Sequence, residues 1–278
     1  MRTPHRPPDK CIFCGERKKL TAEHVLGKWF KNNIKSTFSK TTHFTSFSQV
    51  DPVTGETINS MAKGKLNRPG SPASHQLKLV CTECNNGWMS GIQEAAKQNL
   101  LLLTKGHWPS LDVESITAIA AWATMVTFCF EFADLKTLTA TPSDRKEFMS
   151  SRVPGKNWLV YIGLCDSIND PGSFWHRGGY LFNGEPPGGV PDKGNTQTTT
   201  LVLGRAFFHT LSAPVDFLPN PFEYGTTLGI RQFWPVPNEV PSQSLVFTPA
   251  GVARIASRFW VQFGVSPLPH GGMLLGDH

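Results

Sequence analysis

The chain has 278 residues, and its 19 Phe and 8 Trp supply enough apolar surface for a sizeable core, which excludes disorder over most of the length. Charged residues make up 17%, below the ~25% of an average soluble protein, while 25 Gly and 22 Pro call for many loops and turns. The net charge of +6 is uneven: residues 1–107 hold 16 Lys and Arg against 7 Asp and Glu, and residues 108–278 hold 11 against 14. A basic first third joined to a near-neutral remainder suits a polyanionic partner.

In chain order, residues 1–10 are polar and Pro-rich and read as a loose tail. Met1 to His5 has no apolar stretch behind its charges, so no signal peptide and a cytoplasmic setting are expected. Residues 35–75 are rich in Ser, Thr, Gly and Lys. Turn signals at Asp51-Pro52-Val53-Thr54-Gly55 and Asn67-Arg68-Pro69-Gly70 mark them as a mobile or hairpin-forming insertion. Leu77 to Val80 reads as a short strand leading into Cys81. From Asn85 a helix is expected, with Trp88, Ile92, Ala96, Leu100 and Leu103 near helical period. Gly87 and Gly91 each cost this helix up to about 1 kcal/mol relative to Ala, which is tolerable where backbone or nucleic acid must come close.

A second part begins near His107-Trp108-Pro109. Glu114 to Phe132 reads as a buried helix with Ile116, Ile119, Ala123, Val126 and Phe130 on one stripe. The longest uncharged apolar run, residues 115–130, has 16 residues threaded with Thr, short of the ~20 that a bilayer helix needs, so no membrane span is expected. Trp158 to Gly163, Thr198 to Leu211 and Leu228 to Trp234 read as strands. A last helix opens with Thr248 as cap and Pro249 at its first position, and places Val252, Ile255, Ala256, Phe259, Trp260 and Phe263 on one face. The expected fold class is α+β: a zinc-stapled module over residues 1–107, carrying the 35–75 insertion, followed by a mixed α/β accessory domain over 108–278. No glycine-rich phosphate loop, Ser nucleophile elbow or His-Glu-x-x-His is present.

Cys11 and Cys14 form one Cys-x-x-Cys, and Cys81 and Cys84 another, while Cys129 and Cys165 stand alone in apolar surroundings as buried thiols. In an intracellular chain two such pairs read as a tetrahedral four-thiolate zinc site rather than as disulfides or a redox pair. The intervening 66 residues must loop out, at a cost of only about 1 kcal/mol, because loop closure grows logarithmically with length.

Glu23-His24 follows nine residues after Cys14, and Asn85 immediately follows Cys84. In a zinc-pinned hairpin leading into a helix, the acid–His dyad lies on a strand and Asn85 starts the helix opposite it. An oxygen ligand on each side can hold one hard divalent cation, and His24 can take a proton from an attacking water. Cys11-Ile12-Phe13-Cys14-Gly15, Glu23-His24-Val25 and Cys81-Thr82-Glu83-Cys84-Asn85-Asn86-Gly87-Trp88, in that order, resemble the HNH (ββα-metal) endonucleases, specifically their four-cysteine branch, over roughly residues 11–105.

The resemblance implies structural Zn²⁺ on Cys11, Cys14, Cys81 and Cys84. It also implies His24 as general base, with Glu23 and Asn85 as ligands of a catalytic Mg²⁺, or Mn²⁺ or Ni²⁺ in its place. The activity implied is phosphodiester hydrolysis in nucleic acid, DNA rather than RNA. Two positions depart from the family pattern. Gln76, beside His75, stands where a base-orienting Asn is usual, and Gly27-Lys28-Trp29 stands where Pro often follows the dyad. Lys28, Lys31, Lys35, Lys63, Lys65 and Arg68 are the expected phosphate contacts. Trp29, Phe30 and Trp88 are expected to pack on the zinc hairpin, with base stacking as the other option. The second part can supply target selection, homodimer contacts or regulation. The competing function is a zinc-stabilised nucleic-acid-binding protein without catalysis.

Overall fold

A computed structural model of the chain describes residues 8–24, 26–27, 29–30, 40–50, 57–63, 68–69, 76–166, 173–180 and 194–257. The fold is mixed α+β. Strands β1 (Leu20–His24) and β5 (Gln76–Cys81) pair antiparallel, from Leu20 opposite Cys81 to His24 opposite Gln76, with a register shift between Thr21 and Ala22. The chain passes from β5 directly into a short turn, Thr82–Cys84, then one wide π turn, Asn85–Met89, then helix α1 (Ser90–Thr104). Gly87, at φ −89° and ψ −111°, is the non-helical residue inside that π turn. Beyond it Ile92, Ala96, Leu100 and Leu103 form the buried stripe that their spacing predicts.

Helix α2 (Val113–Phe130) starts one residue before its expected bound, because the Asp112 carboxylate accepts from the Ser115 N–H at 2.7 Å and caps it. With its extension to Ala133, α2 is long and apolar enough to cross a membrane, and 83% of its most apolar window is buried inside the fold. A helix apolar nearly all round is here the central core helix. Helix α3 (Pro142–Ser151) is absent from the sequence expectations: it buries only Arg145 and Phe148, too little for a periodic stripe. Its signal is local, a capping box between Thr141 and Asp144 with Pro142 at the first position.

Among the described residues the large sheet holds nine strands. The second part contributes β6 (Trp158–Cys165), β7 (Ser173–Gly179), β8 (Thr196–Leu203), β9 (Ala206–Ser212), β10 (Arg231–Trp234) and β11 (Val246–Phe247). They run in the order β10-β6-β9-β8-β7-β2-β3, where β2 is Lys40–Val50 and β3 is Thr57–Lys63. β11 pairs with β6, and β4 (Arg68–Pro69) pairs with β2.

Two strand expectations are corrected. The span Thr198 to Leu211 is a hairpin, β8–β9, that reverses at Gly204, whose φ of +57° is the left-handed region favouring glycine. Leu228 closes a helix, α4 (Pro221–Leu228), rather than opening a strand. The Asn220 side chain caps that helix and Gly229, at φ +71°, ends it, so β10 begins only at Arg231. Helix α5 (Pro249–Ser257) opens as expected, with Thr248 Oγ1 accepting from the Gly251 N–H at 3.1 Å. Phe259, Trp260 and Phe263 lie outside the described residues.

β2 and β3 form a hairpin from Phe44 opposite Lys63 to Val50 opposite Thr57, and β2 runs parallel to β7 from Thr42 opposite Ser173 to Ser48 opposite Gly179. The segment between the two cysteine pairs thus supplies strands to the sheet of the second part. One face of that sheet, with Val160, Ile162, Leu201 and Phe208, packs under α1 and α2 in a cluster that also contains Cys11, Phe13 and Cys81. The other face, with Leu159, Tyr161, Val202 and Phe207, is covered by Tyr224 and Leu228 of α4 and by Val252 and Ile255 of α5.

Candidate functional site

The first Cys-x-x-Cys is a tight knuckle. The Gly15 N–H donates to the Cys11 carbonyl at 3.0 Å, with Gly15 at φ +73°, where a side chain would be strained. The Ile12 N–H donates to the Leu79 carbonyl at 3.0 Å, which docks the knuckle on β5. The second pair bridges the end of β5 and the first helical turn, so the strand-to-helix junction itself sets the spacing of Cys81 and Cys84. The four Sγ atoms lie within 4.8 Å of one another, and Cys14 Sγ is 3.8 Å from Cys81 Sγ. Zn–S bonds of ~2.3 Å in a tetrahedron give S···S edges of ~3.8 Å. Cys11, Cys81 and Cys84 are buried, Cys14 is half-buried, and none is in a disulfide.

Burial pushes the thiols of Cys81 and Cys84 up, that of Cys84 to about 11. Burial acts the same way on Cys11, but the backbone N–H groups of Cys81, Cys14 and Phe13 outweigh it and leave that thiol below its ordinary value. Four sulfurs gathered in an apolar pocket gain most from a thiophilic cation, which ionises them and neutralises the charge. The cluster could hold a zinc ion, and among the described residues it is the one group of three or more His, Cys, Asp and Glu side chains with such a spacing. Lys18 spans the two knuckles through Glu16 at 2.8 Å and Glu83 at 3.5 Å, exposed pairs of small energetic weight.

Aromatic packing ties this corner to the core. Phe13 meets Trp88 edge-on at 4.8 Å and Phe128 of α2 at 6.0 Å. Trp29 stacks on Phe30 at 3.8 Å, and Phe30 is buried 5.7 Å from Trp122. The half-buried Trp88 ring also carries the Arg152 guanidinium 4.6 Å from its centroid. Sequence reasoning passed over Arg152, because nothing in Ser151-Arg152-Val153 announces the left-handed turn that brings it there.

Glu23 and His24 end β1, with their backbones opposite Leu77 and Gln76 respectively; their side chains lie outside the described set. Gln76, exposed, is thereby the cross-strand neighbour of His24. Asn85 opens the π turn, and its Nδ2 donates to Thr21 Oγ1 at 3.3 Å, which in turn donates to the Val80 carbonyl at 3.1 Å. The helix start is thus tied to both strands, two positions along β1 from Glu23. Lys28, Lys31, Lys35, Lys65 and His75 lie outside the described residues, whereas Lys63 and Arg68 are placed by backbone alone, on β3 and β4. Cys129 and Cys165 are buried and in no disulfide.

No family model matches the chain, and no curated protein or solved structure is significantly similar to it.

Proposed function

We propose that the chain is a metal-dependent endonuclease of the HNH (ββα-metal) kind, cutting phosphodiester bonds in nucleic acid, DNA in preference to RNA, in the cytoplasm. The observation that carries this reading is the cluster of four cysteine sulfurs at the base of a two-stranded sheet that runs straight into a helix, with Gln76 across the ladder from His24 and Asn85 at the helix start. The zinc is structural: it pins two distant stretches whose own two-stranded sheet is too small to stand alone.

In the proposed chemistry His24 accepts the proton of the attacking water, and the Gln76 amide steadies it from the neighbouring strand. Glu23 and the Asn85 amide oxygen would hold the divalent cation, since Asn85 Nδ2 is already engaged by Thr21. A cation such as Mg²⁺, bound there, supplies stabilisation of the leaving 3′ oxygen and of the extra negative charge on phosphate. The basic residues of the first part, Lys28, Lys31, Lys63, Lys65 and Arg68, hold the backbone without reading sequence.

Cleavage of plasmid by the zinc-loaded chain with Mg²⁺ tests this. His24→Ala should bind nucleic acid as before and cleave roughly a hundredfold more slowly or worse. Equal cleavage by both proteins removes His24 as base, and binding without cleavage by the wild type would make the chain a zinc-stabilised binding protein instead.

A further inference from the structure

A solvent-facing groove of about 500 Å³ runs between α1 and α2. Its walls are small: Gly91 and Ala95 on α1, Ala118 and Ala121 on α2. Trp88 and Arg152 line it as well, and Glu114 adds a carboxylate.

Two features here carry a backbone cost. Gly91 sits in a helix, at about 1 kcal/mol against Ala, although a Cβ there would meet nothing within 4 Å. Arg152 follows α3 at φ +62°, the one non-glycine residue with positive φ among the described residues, in a position that glycine or asparagine usually fills. Left-handed backbone costs such a residue about 1–2 kcal/mol. The result is an exposed cation lying on the Trp88 indole, in no ion pair with a carboxylate among the described residues.

We infer that this groove receives an unstacked nucleobase from the strand held at the adjacent site, which makes single-stranded or locally opened nucleic acid the preferred substrate; the inference rests on the nuclease reading. The chemistry matches at each wall. Indole and guanidinium planes stack on bases of any identity, and Arg152 can turn to the neighbouring phosphate. A Glu carboxylate accepts from the exocyclic amino groups of bases. The missing Cβ of Gly91 lets a flat ring approach the helix backbone, and the volume lies in the range of ligand pockets, roughly 300–1,000 Å³. Trp88 follows Asn85 by three residues in the same π turn, so one wall of the groove belongs to the segment that opens with a proposed metal ligand. An apolar peptide would use the alanine walls but leave Arg152 and Glu114 without a role, and the excess of 16 basic over 7 acidic residues in positions 1–107 favours a polyanion.

The test uses the full zinc-loaded chain carrying His24→Ala, without Mg²⁺, and measures by fluorescence anisotropy its binding to a short labelled single strand and to a blunt duplex of the same sequence. Arg152→Gly and Ala118→Phe, added separately, should each weaken single-strand binding about tenfold and change duplex binding by less than about twofold. Arg152→Gly should keep its zinc and melt no lower than its parent, since glycine relieves the left-handed backbone. Unchanged single-strand binding in both variants overturns the inference. So does Ala118→Phe that blocks an apolar peptide probe while leaving oligonucleotide binding intact, which would assign the groove to a protein partner. Plasmid cleavage by the wild type, read separately, decides the nuclease reading: the groove fails alone if cleavage persists without strand preference, and the nuclease reading fails alone if the preference persists without cleavage.

Discussion

His209 on β9 engages both ring nitrogens, Nδ1 with Thr200 Oγ1 at 2.8 Å and Nε2 with the Tyr224 hydroxyl at 3.1 Å. Burial pushes its pKa down to about 3, against about 6.5 for a free imidazole. As pH falls below about 6.5 the unfolded chain takes up a proton that the native chain refuses until about pH 3, so stability is full above that window and drains away through it. The loss is up to about 1.4 kcal/mol per pH unit. Melting temperatures should therefore drop between pH 7 and pH 4.5, and His209→Gln, which does not titrate, should flatten the drop. His176, also buried and held below its ordinary value by desolvation, keeps a residual slope in that variant. An unaltered slope in His209→Gln would remove His209 from the account.

The cysteine cluster was readable because Cys-x-x-Cys fixes its own geometry, whatever the rest of the chain does. Glu131 was not. It is buried against the Arg145 guanidinium, and it accepts from the Ala140 N–H at 2.8 Å and from Gln197 Nε2 at 3.0 Å. Those partners lie 9, 14 and 66 residues away, joined only by turns and a sheet register that no local pattern encodes.

Among elements, legibility followed the reach of the signal. Thr248-Pro249 marks the start of α5 from two residues of sequence, the stripe of α1 stands out because one face is buried, and α2 stands out because it is apolar nearly all round. The β8–β9 hairpin was hidden because strand-forming residues continue on both sides of Gly204-Arg205, Thr and Val before it and Phe and Thr after it, with only this two-residue turn between them. Its tip is set from outside: the Arg205 N–H donates to the Thr104 carbonyl at 2.8 Å, and a methyl group on Gly204 would strike that same oxygen. Gly204→Ala combines the left-handed penalty with that collision and should destabilise the chain by about 1–2 kcal/mol or more, read as a lower urea midpoint at unchanged slope. A midpoint equal to wild type would mean that the hairpin tip has room to shift.

At the scale of the molecule, the boundary near residues 107–108 is a turn between two helices that pack on each other, and one apolar cluster extends from Phe13 through Phe128 to Phe208. Removing a zinc ion held by the cysteine cluster should therefore be felt throughout. A chelator should lower a single melting transition, and Cys81→Ser should do so without one. Two transitions, one of them indifferent to the chelator, would show that the parts unfold separately.

The parallel pairing of β2 with β7 also dictates an order of events at the ribosome. More than a hundred residues separate Lys63 from Ser173, so the hairpin emerges on the order of ten seconds before the strand that it must meet. Through that interval the edge of β2 that β7 later covers has no such neighbour among the described residues, and a naked edge invites other chains. The first part to be synthesised is thus among the last to be finished, and any truncation that stops short of β7 leaves an adhesive fragment rather than a finished fold.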